Sequence, residues 1–256
     1  MEFGTLIPDG LSPLAAAGLV AVSALTSMMT AVLGIGGGVT LLAVMASLMP
    51  PAALIPVHGV VQAGSNAGRA VLMLREAALP VILPFALGGA VGALAGGALS
   101  VELPAAVLQL VIGGFILAML YVRAPRAAER VPRAGLMPLA GAATSLLTMF
   151  VGATGPFVAA LLRRLELPKQ RFVATLAVLM TLQHALKIAV FGLFGFAFAA
   201  WLPLIAAMIA TGFAGTVAGR AILVRMDEAL FRRALDMVLT LLALRLCWVG
   251  VADLAA

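Results

Sequence analysis

Charge is scarce in this chain: Asp, Glu, Lys and Arg make up 10% of its 256 residues and hydrophobic residues 64%, with a mean hydropathy of +1.19. Soluble domains carry roughly a quarter charged residues, so a water-soluble globular fold is excluded. Strand-like alternation of apolar and polar residues is also missing, which excludes a membrane β-barrel. Cysteine occurs once, at Cys247. That leaves no intrachain disulfide and no multi-cysteine metal site, and within an apolar block Cys247 reads as a small packing residue. There is no HExxH, no GxSxG, no P-loop lysine and no aspartate cluster, so no enzyme, metal centre or bound cofactor is expected. Of the ten carboxylates only Asp236 lies within an apolar segment. Arg232 and Arg233 are its expected ion-pair partners, and a central acidic proton relay is absent. The N-terminus lacks a basic n-region and a small-residue cleavage site, so no cleavable signal peptide is expected. Met1 to Thr5 bear no relation to the apolar blocks after them and read as a cloning scar.

What is present is apolar sequence in blocks of about 20 residues, the length at which an α-helix crosses the hydrocarbon core. The expected fold class is all-α, a polytopic membrane protein. The net charge of +6 and pI near 11.0 do not signal a nucleic-acid partner, because the basic residues sit in short loops between apolar blocks and report topology. One stretch breaks the pattern: Gly34-Ile35-Gly36-Gly37-Gly38, inside an apolar run from Leu14 to Met49. At membrane depth a glycine break survives only where the freed backbone groups line a cavity or are covered by protein. The device returns 118 positions later as Gly152-Ala153-Thr154-Gly155-Pro156. Paired interruptions in corresponding places of two halves point to a transporter's substrate site.

Each half contains five apolar segments, at roughly 14–33, 38–49, 54–74, 77–99 and 103–122, then 135–151, 156–165, 172–194, 200–222 and 229–250. Segments 38–49 and 156–165 are too short to span and read as re-entrant arms. At the offset of 118, Pro50 falls on Pro168, Asn66 on His184 and Arg69 on Lys187. After a short insertion the offset becomes 123, and Gly89, Gly92 and Gly96 fall on Gly212, Gly215 and Gly219. The expected organisation is an N-terminal segment (1–13), a first membrane repeat (14–122), a basic cytoplasmic linker (123–134) and a second repeat (135–256).

If each broken pair returns to the side it entered from, 13 of the 16 basic residues fall on the cytoplasmic side. The other three, Arg69, Lys187 and Arg245, lie inside apolar segments, and the external loops hold none. Each repeat then contributes a hairpin and three crossings, an odd number, so the second is inverted and both termini lie outside. Full crossings by the arms would scatter the basic loops to both sides.

Ionisable groups at membrane depth cost roughly 2.5–3.5 kcal/mol each and mark functional sites. One patch comprises Gln62, Ser65, Asn66 and Arg69, the other Thr181, Gln183, His184 and Lys187. In each, a cation sits three residues after a hydrogen-bonding partner on one helix face. Snorkelling to the nearest interface is the alternative for both cations, and the simpler account of Arg245. His58 falls opposite Leu176 in the repeat and reads as structural. The candidate substrate-binding residues are therefore Gly34, Gly36, Gly37, Gly38, Ser65, Asn66, Arg69, Gly152, Thr154, Gly155, Gln183, His184 and Lys187. Broken-helix N-termini and two cations favour an anion. His184 is the candidate for proton coupling, since a bound anion and a proton beside it attract one another.

These features, GIGGG at Gly34 to Gly38, GATGP at Gly152 to Pro156, the HxxK of His184 and Lys187 and the paired small-residue helices, resemble the sulfite exporter TauE/SafE family, also called the 4-toluenesulfonate uptake permease family. The resemblance runs from about Leu14 to Val249. It implies secondary transport of small sulfur-containing anions, such as sulfite, thiosulfate, sulfoacetate or taurine, across a bacterial-type inner (cytoplasmic) membrane, coupled to a proton or cation or to neither. Thr154 and Pro156 replace glycines of the first motif, so the two tips are not expected to contact a solute equally. An anion channel and an accessory membrane subunit are the alternatives. The partners implied are a small anionic substrate and the lipid bilayer, with oligomeric state left open.

Overall fold

The computed structural model describes residues 7–8, 11–98, 105–121, 136–152 and 154–255; residues 1–5 and the expected basic linker at 123–134 lie outside them. Ten α-helices follow one another among the described residues: α1 (Pro13–Leu33), α2 (Gly37–Leu48), α3 (Pro51–Leu72), α4 (Leu79–Ala98), α5 (Ala105–Tyr121), α6 (Leu136–Val151), α7 (Gly155–Arg163), α8 (Lys169–Leu193), α9 (Leu202–Arg225) and α10 (Glu228–Ala255). Five are long and apolar enough to cross a membrane: α1, α4, α8, α10, and α9 with the short 3-10 turn before it. This is an all-α, multi-pass membrane protein.

Local chemistry sets the element ends. Ser12 caps α1, its hydroxyl accepting from the Ala15 N–H, and Pro13 occupies the first turn, where its missing N–H costs nothing. The helix stops at Gly34, whose φ of +80° is a left-handed conformation that glycine adopts freely. The chain then reverses. Gly37 sits so close to α1 that a Cβ there would lie 1.8 Å from the Thr26 carbonyl oxygen. Farther along α2, Leu41 and Met45 join a core cluster with Leu11, Ala16 and Leu19 from the start of α1. The arm therefore returns toward the side where α1 began. In the second half Gly152, with φ +78°, breaks the chain after α6. Val158, Ala159 and Leu162 of α7 share a core with Met137 from the start of α6. Both interrupted segments are hairpins.

The hairpins are held by the other half of the molecule. A Cβ on Gly92 of α4 would lie 2.0 Å from the Ala142 oxygen of α6, and one on Gly215 of α9 would lie 2.0 Å from the Ala24 oxygen of α1. Gly96 faces Leu146 and Met149 of α6, as Gly219 faces Met28 and Ala31 of α1. Each repeat's first helix is thus seated, in parallel, on the fourth helix of the other repeat. Only side chains of one hydrogen allow backbones to approach this closely, the usual basis of helix association where lipid removes any hydrophobic advantage. Between these pairs α3 and α8 cross in opposite directions. His58 and Gly59 of α3 lie beside His184 and Lys187 of α8, while past the other end of α3 the Ala78 N–H donates to the Thr175 hydroxyl at 2.9 Å. Helices equivalent in sequence run antiparallel, so the halves are inverted with respect to one another.

One sequence expectation is corrected. Asp236 of α10 does not pair with its helix neighbours. Both oxygens accept from Arg163 at the end of α7, at 2.8 and 3.0 Å, and Arg232 pairs instead with Glu228. A fork of two parallel N–H bonds satisfies a guanidinium better than a neighbour on the same helix can, and the re-entrant arm brings Arg163 within reach. Arg245 is exposed on α10.

Candidate functional site

The hairpin breaks open onto a common interior. Thr30, Gly34, Ile35, Gly36, Gly38 and Val39 from the first, Gly155 and Pro156 from the second, His58 and Asn66 from α3, and Leu176, Met180 and His184 from α8 enclose a cavity of about 40 Å³. A water needs roughly 10–15 Å³ by this measure, so the space suits a few waters or one small polyatomic ion. Backbone ends, an amide and two imidazoles form its polar wall. Among the described residues no Asp or Glu lines it.

His58 and His184 meet edge to face with ring centroids 6.1 Å apart. His58 Nε2 lies 2.9 Å from the Gly38 carbonyl oxygen. A carbonyl only accepts, so Nε2 carries the proton and, in the neutral ring, Nδ1 is an acceptor. Both Nδ1 atoms are buried with no hydrogen-bond partner among the described residues. Asn66 donates to the Gln62 carbonyl at 2.7 Å and accepts from Arg69 at 2.8 Å. Arg69 is 2% exposed, and its Nε is buried without a partner. Buried polar atoms are nearly always paired, so such a cluster beside a cavity points to a polar occupant.

Lys187 is fully buried and donates to the Gly152 carbonyl oxygen at 2.9 Å. A Cβ on Gly59 would be 3.0 Å from its Cε. The ammonium therefore holds the end of α6, where the helix dipole favours a cation, and lies behind the cavity wall. Neither Lys187 nor Arg69 forms an ion pair among the described residues. Two interior cations with no carboxylate between them among the described residues leave the chamber electropositive.

The candidate residues fall into two groups. Gly34, Gly36, Gly38, Asn66, Gly155 and His184 line the cavity. Gly37 packs on α1, and Ser65 bonds Ser27 of α1 at 2.8 Å. Gln183 donates to Thr144 at 2.6 Å and Ser145 at 3.2 Å and accepts from Thr154 at 3.3 Å. With Arg69, Gly152 and Lys187 these form the shell that positions the wall. Ala153 lies outside the described residues.

Four contributors escaped the sequence reading. His58 lies on the same face of α3 as Gln62 and Asn66, at four-residue steps, and that register was the available signal. Thr30 and the hydroxyls of Thr26 and Ser27 recur at the offset of 118 as Thr148, Thr144 and Ser145. The contacts recur too, since Ser27 with Ser65 is the counterpart of Ser145 with Gln183.

No curated protein and no solved structure matches the chain. The sequence model described as Sulfite exporter TauE/SafE matches residues 19–246, and with the paired hairpins and their electropositive chamber in view, the chain belongs to the sulfite exporter TauE/SafE family of membrane transport proteins.

Proposed function

We propose that this protein is a secondary transporter of small sulfur-containing anions, with sulfite, thiosulfate and organosulfonates such as sulfoacetate or taurine as its substrate class. The observation that carries the reading is the meeting of both hairpin tips at one small cavity whose lining, among the described residues, includes two imidazoles and an amide but no carboxylate. The positive field of Arg69 and Lys187 favours an oxyanion there, and the inverted halves supply two mirror-related ways of opening it. In this reading Gly34, Gly36, Gly38, Asn66, Gly155, His58 and His184 contact the anion. Arg69, Gln183, Thr154, Ser65, Gly37, Gly152 and Lys187 set the field and hold the tips. His184 carries the coupling proton. The protein lies in a bacterial-type inner membrane with both termini outside, because that orientation collects the basic loops on the cytoplasmic face.

The test is a thermal-shift screen of purified protein against sulfite, sulfate, thiosulfate, sulfoacetate, taurine and simple carboxylates, followed by exchange of labelled substrate in liposomes. Sulfur oxyanions are expected to stabilise the protein and to exchange between pools. A protein stabilised by none of them, or one passing anions without counterflow, speaks for an accessory subunit or a channel respectively.

A further inference from the structure

We propose a second binding site, for an anionic phospholipid, in the groove lined by Leu72, Val217, Arg220, Ala221, Val224 and Arg225. The groove has a volume of about 380 Å³. Helices α3 and α9 run parallel, with Gly64 against Ile209 and Gly68 against Phe213. Helix α3 ends at Leu72, level with Val217 by that register, while α9 continues to Arg225. The last two turns of α9 therefore project past the end of their neighbour.

At 100° per residue, positions 217, 220, 221, 224 and 225 share one face of α9. The glycine stripe that seats α9 on α1 occupies the opposite face. Beyond Leu72 the arginine-bearing face thus has neither α1 nor α3 against it, and Val217 and Val224 are 48% and 52% exposed. Aliphatic side chains facing the bilayer interior suit an acyl chain. The two arginines suit its headgroup: five residues apart, they are separated by about 7.5 Å along the axis and about 140° around it, so they flank the groove and their long side chains can converge on one phosphodiester with charge-assisted bonds. Neither arginine forms an ion pair among the described residues. Arg220 Nε is buried with no hydrogen-bond partner, an unsatisfied donor at the back of the groove.

Position in the fold agrees. Arg75 follows the end of α3, and Arg232 and Arg233 lie in the first turns of α10, immediately after α9. The groove therefore opens at the basic end of the bundle, at headgroup level, where basic pockets between helices bind anionic lipid. This site is separate from the central cavity and does not depend on what that cavity carries.

Delipidated full-length protein in non-ionic detergent, titrated with phosphatidylglycerol or phosphatidylcholine and read by native mass spectrometry, tests the assignment. Phosphatidylglycerol is expected to bind more tightly. Each arginine near an anionic surface contributes about fivefold, so Arg220→Gln with Arg225→Gln should weaken phosphatidylglycerol about 25-fold and abolish the preference. Arg75→Gln, outside the groove, should leave it intact. If the double variant elutes as aggregate, Arg225→Gln alone, at an exposed position, should still weaken binding about fivefold. Equal binding of the two lipids, or an undiminished preference in the folded variants, overturns the proposal. So does displacement of phosphatidylglycerol by millimolar inorganic phosphate, which would make the groove a site for the free ion.

Discussion

Replacing Lys187 with Met separates what this residue does for folding from what it does for an anion. In folding, the ammonium is fully buried with one bond to the Gly152 carbonyl and no carboxylate partner. A buried ion carries a desolvation penalty of several kcal/mol, and a hydrogen bond from a charged donor returns about 1.5–3 kcal/mol. Methionine has a similar length and fills the space against Gly59, so the exchange should leave folding stability unchanged or improved. Each kcal/mol gained corresponds to roughly 2–4 °C in Tm for a chain of this size. In binding, an anion held beside His184 lies three residues, about 4.5 Å of helix rise, from Lys187 along α8. At an effective dielectric of about 20 that is an attraction of about 3.7 kcal/mol, or roughly 500-fold in affinity. The expected Lys187→Met protein melts no lower than the parent yet loses the shift induced by sulfur oxyanions. Thermal unfolding in detergent, with and without millimolar sulfite, reads both quantities. A Tm lowered by several degrees with the sulfite shift intact would make Lys187 a helix anchor and refute the electrostatic argument.

His58→Leu gives α3 the residue its counterpart has at Leu176 and removes the partner of the Gly38 oxygen; about 1–3 kcal/mol of stability is lost and the anion response weakens, whereas an unchanged response takes His58 out of the site. His184→Asn, which imports the residue at Asn66, should abolish any dependence of liposome flux on a pH gradient; flux indifferent to the gradient in both proteins ends the coupling proposal. Gly92→Ala and Gly215→Ala each place a methyl 2.0 Å from a backbone oxygen and should cost about 1–3 kcal/mol, while Gly114→Ala, with nothing within 4 Å, should be neutral or gain up to about 1 kcal/mol; equal Tm values across the three contradict the seam packing. Arg163→Gln breaks the pair with Asp236, whose side chains are 27% and 36% exposed, so solvent limits the loss to about 1 kcal/mol or less; Arg163→Gln with Asp236→Asn should be no worse than either alone, and an additive loss would show the two acting separately.

The architecture was legible because the membrane makes a few sequence features decisive. Block length gives helices, and a glycine break inside a block gives a hairpin. The polar lining was less legible. Hydroxyls such as Thr26, Thr30 and Thr144 bond the carbonyl four residues back on their own helix, so they disappear into an apolar segment without a compositional trace. Only the offset comparison exposes Thr26-Ser27 and Thr144-Ser145 as one element used twice. That same comparison hid His58, because reasoning from symmetry discards whatever one half has alone. Arg163 with Asp236 was hidden for another reason: the pair is 73 residues apart, and only the return of α7 toward α10 makes it.

What the halves share and where they differ fall in different places. Ser27 and Ser145 and the glycines of α4 and α9 are identical pairs that serve the seams where hairpins meet supporting helices, and Thr26 and Thr144 are identical as well. Around the cavity the pairs diverge: His58 with Leu176, Asn66 with His184, Gly38 with Pro156. In the proposed transport cycle, a symmetric frame around an asymmetric chamber would let the halves exchange roles while presenting an anion with different chemistry on either side. The shell diverges too. Lys187 is bonded to the break at Gly152, whereas its counterpart Arg69 is bonded to Asn66. On the proposed alternating-access reading, two mirror-related states built on unlike latches would differ in energy, and a difference of about 1.4 kcal/mol suffices for a tenfold preference. The empty protein would then rest on one side, with the bound anion supplying the differential interaction that releases it.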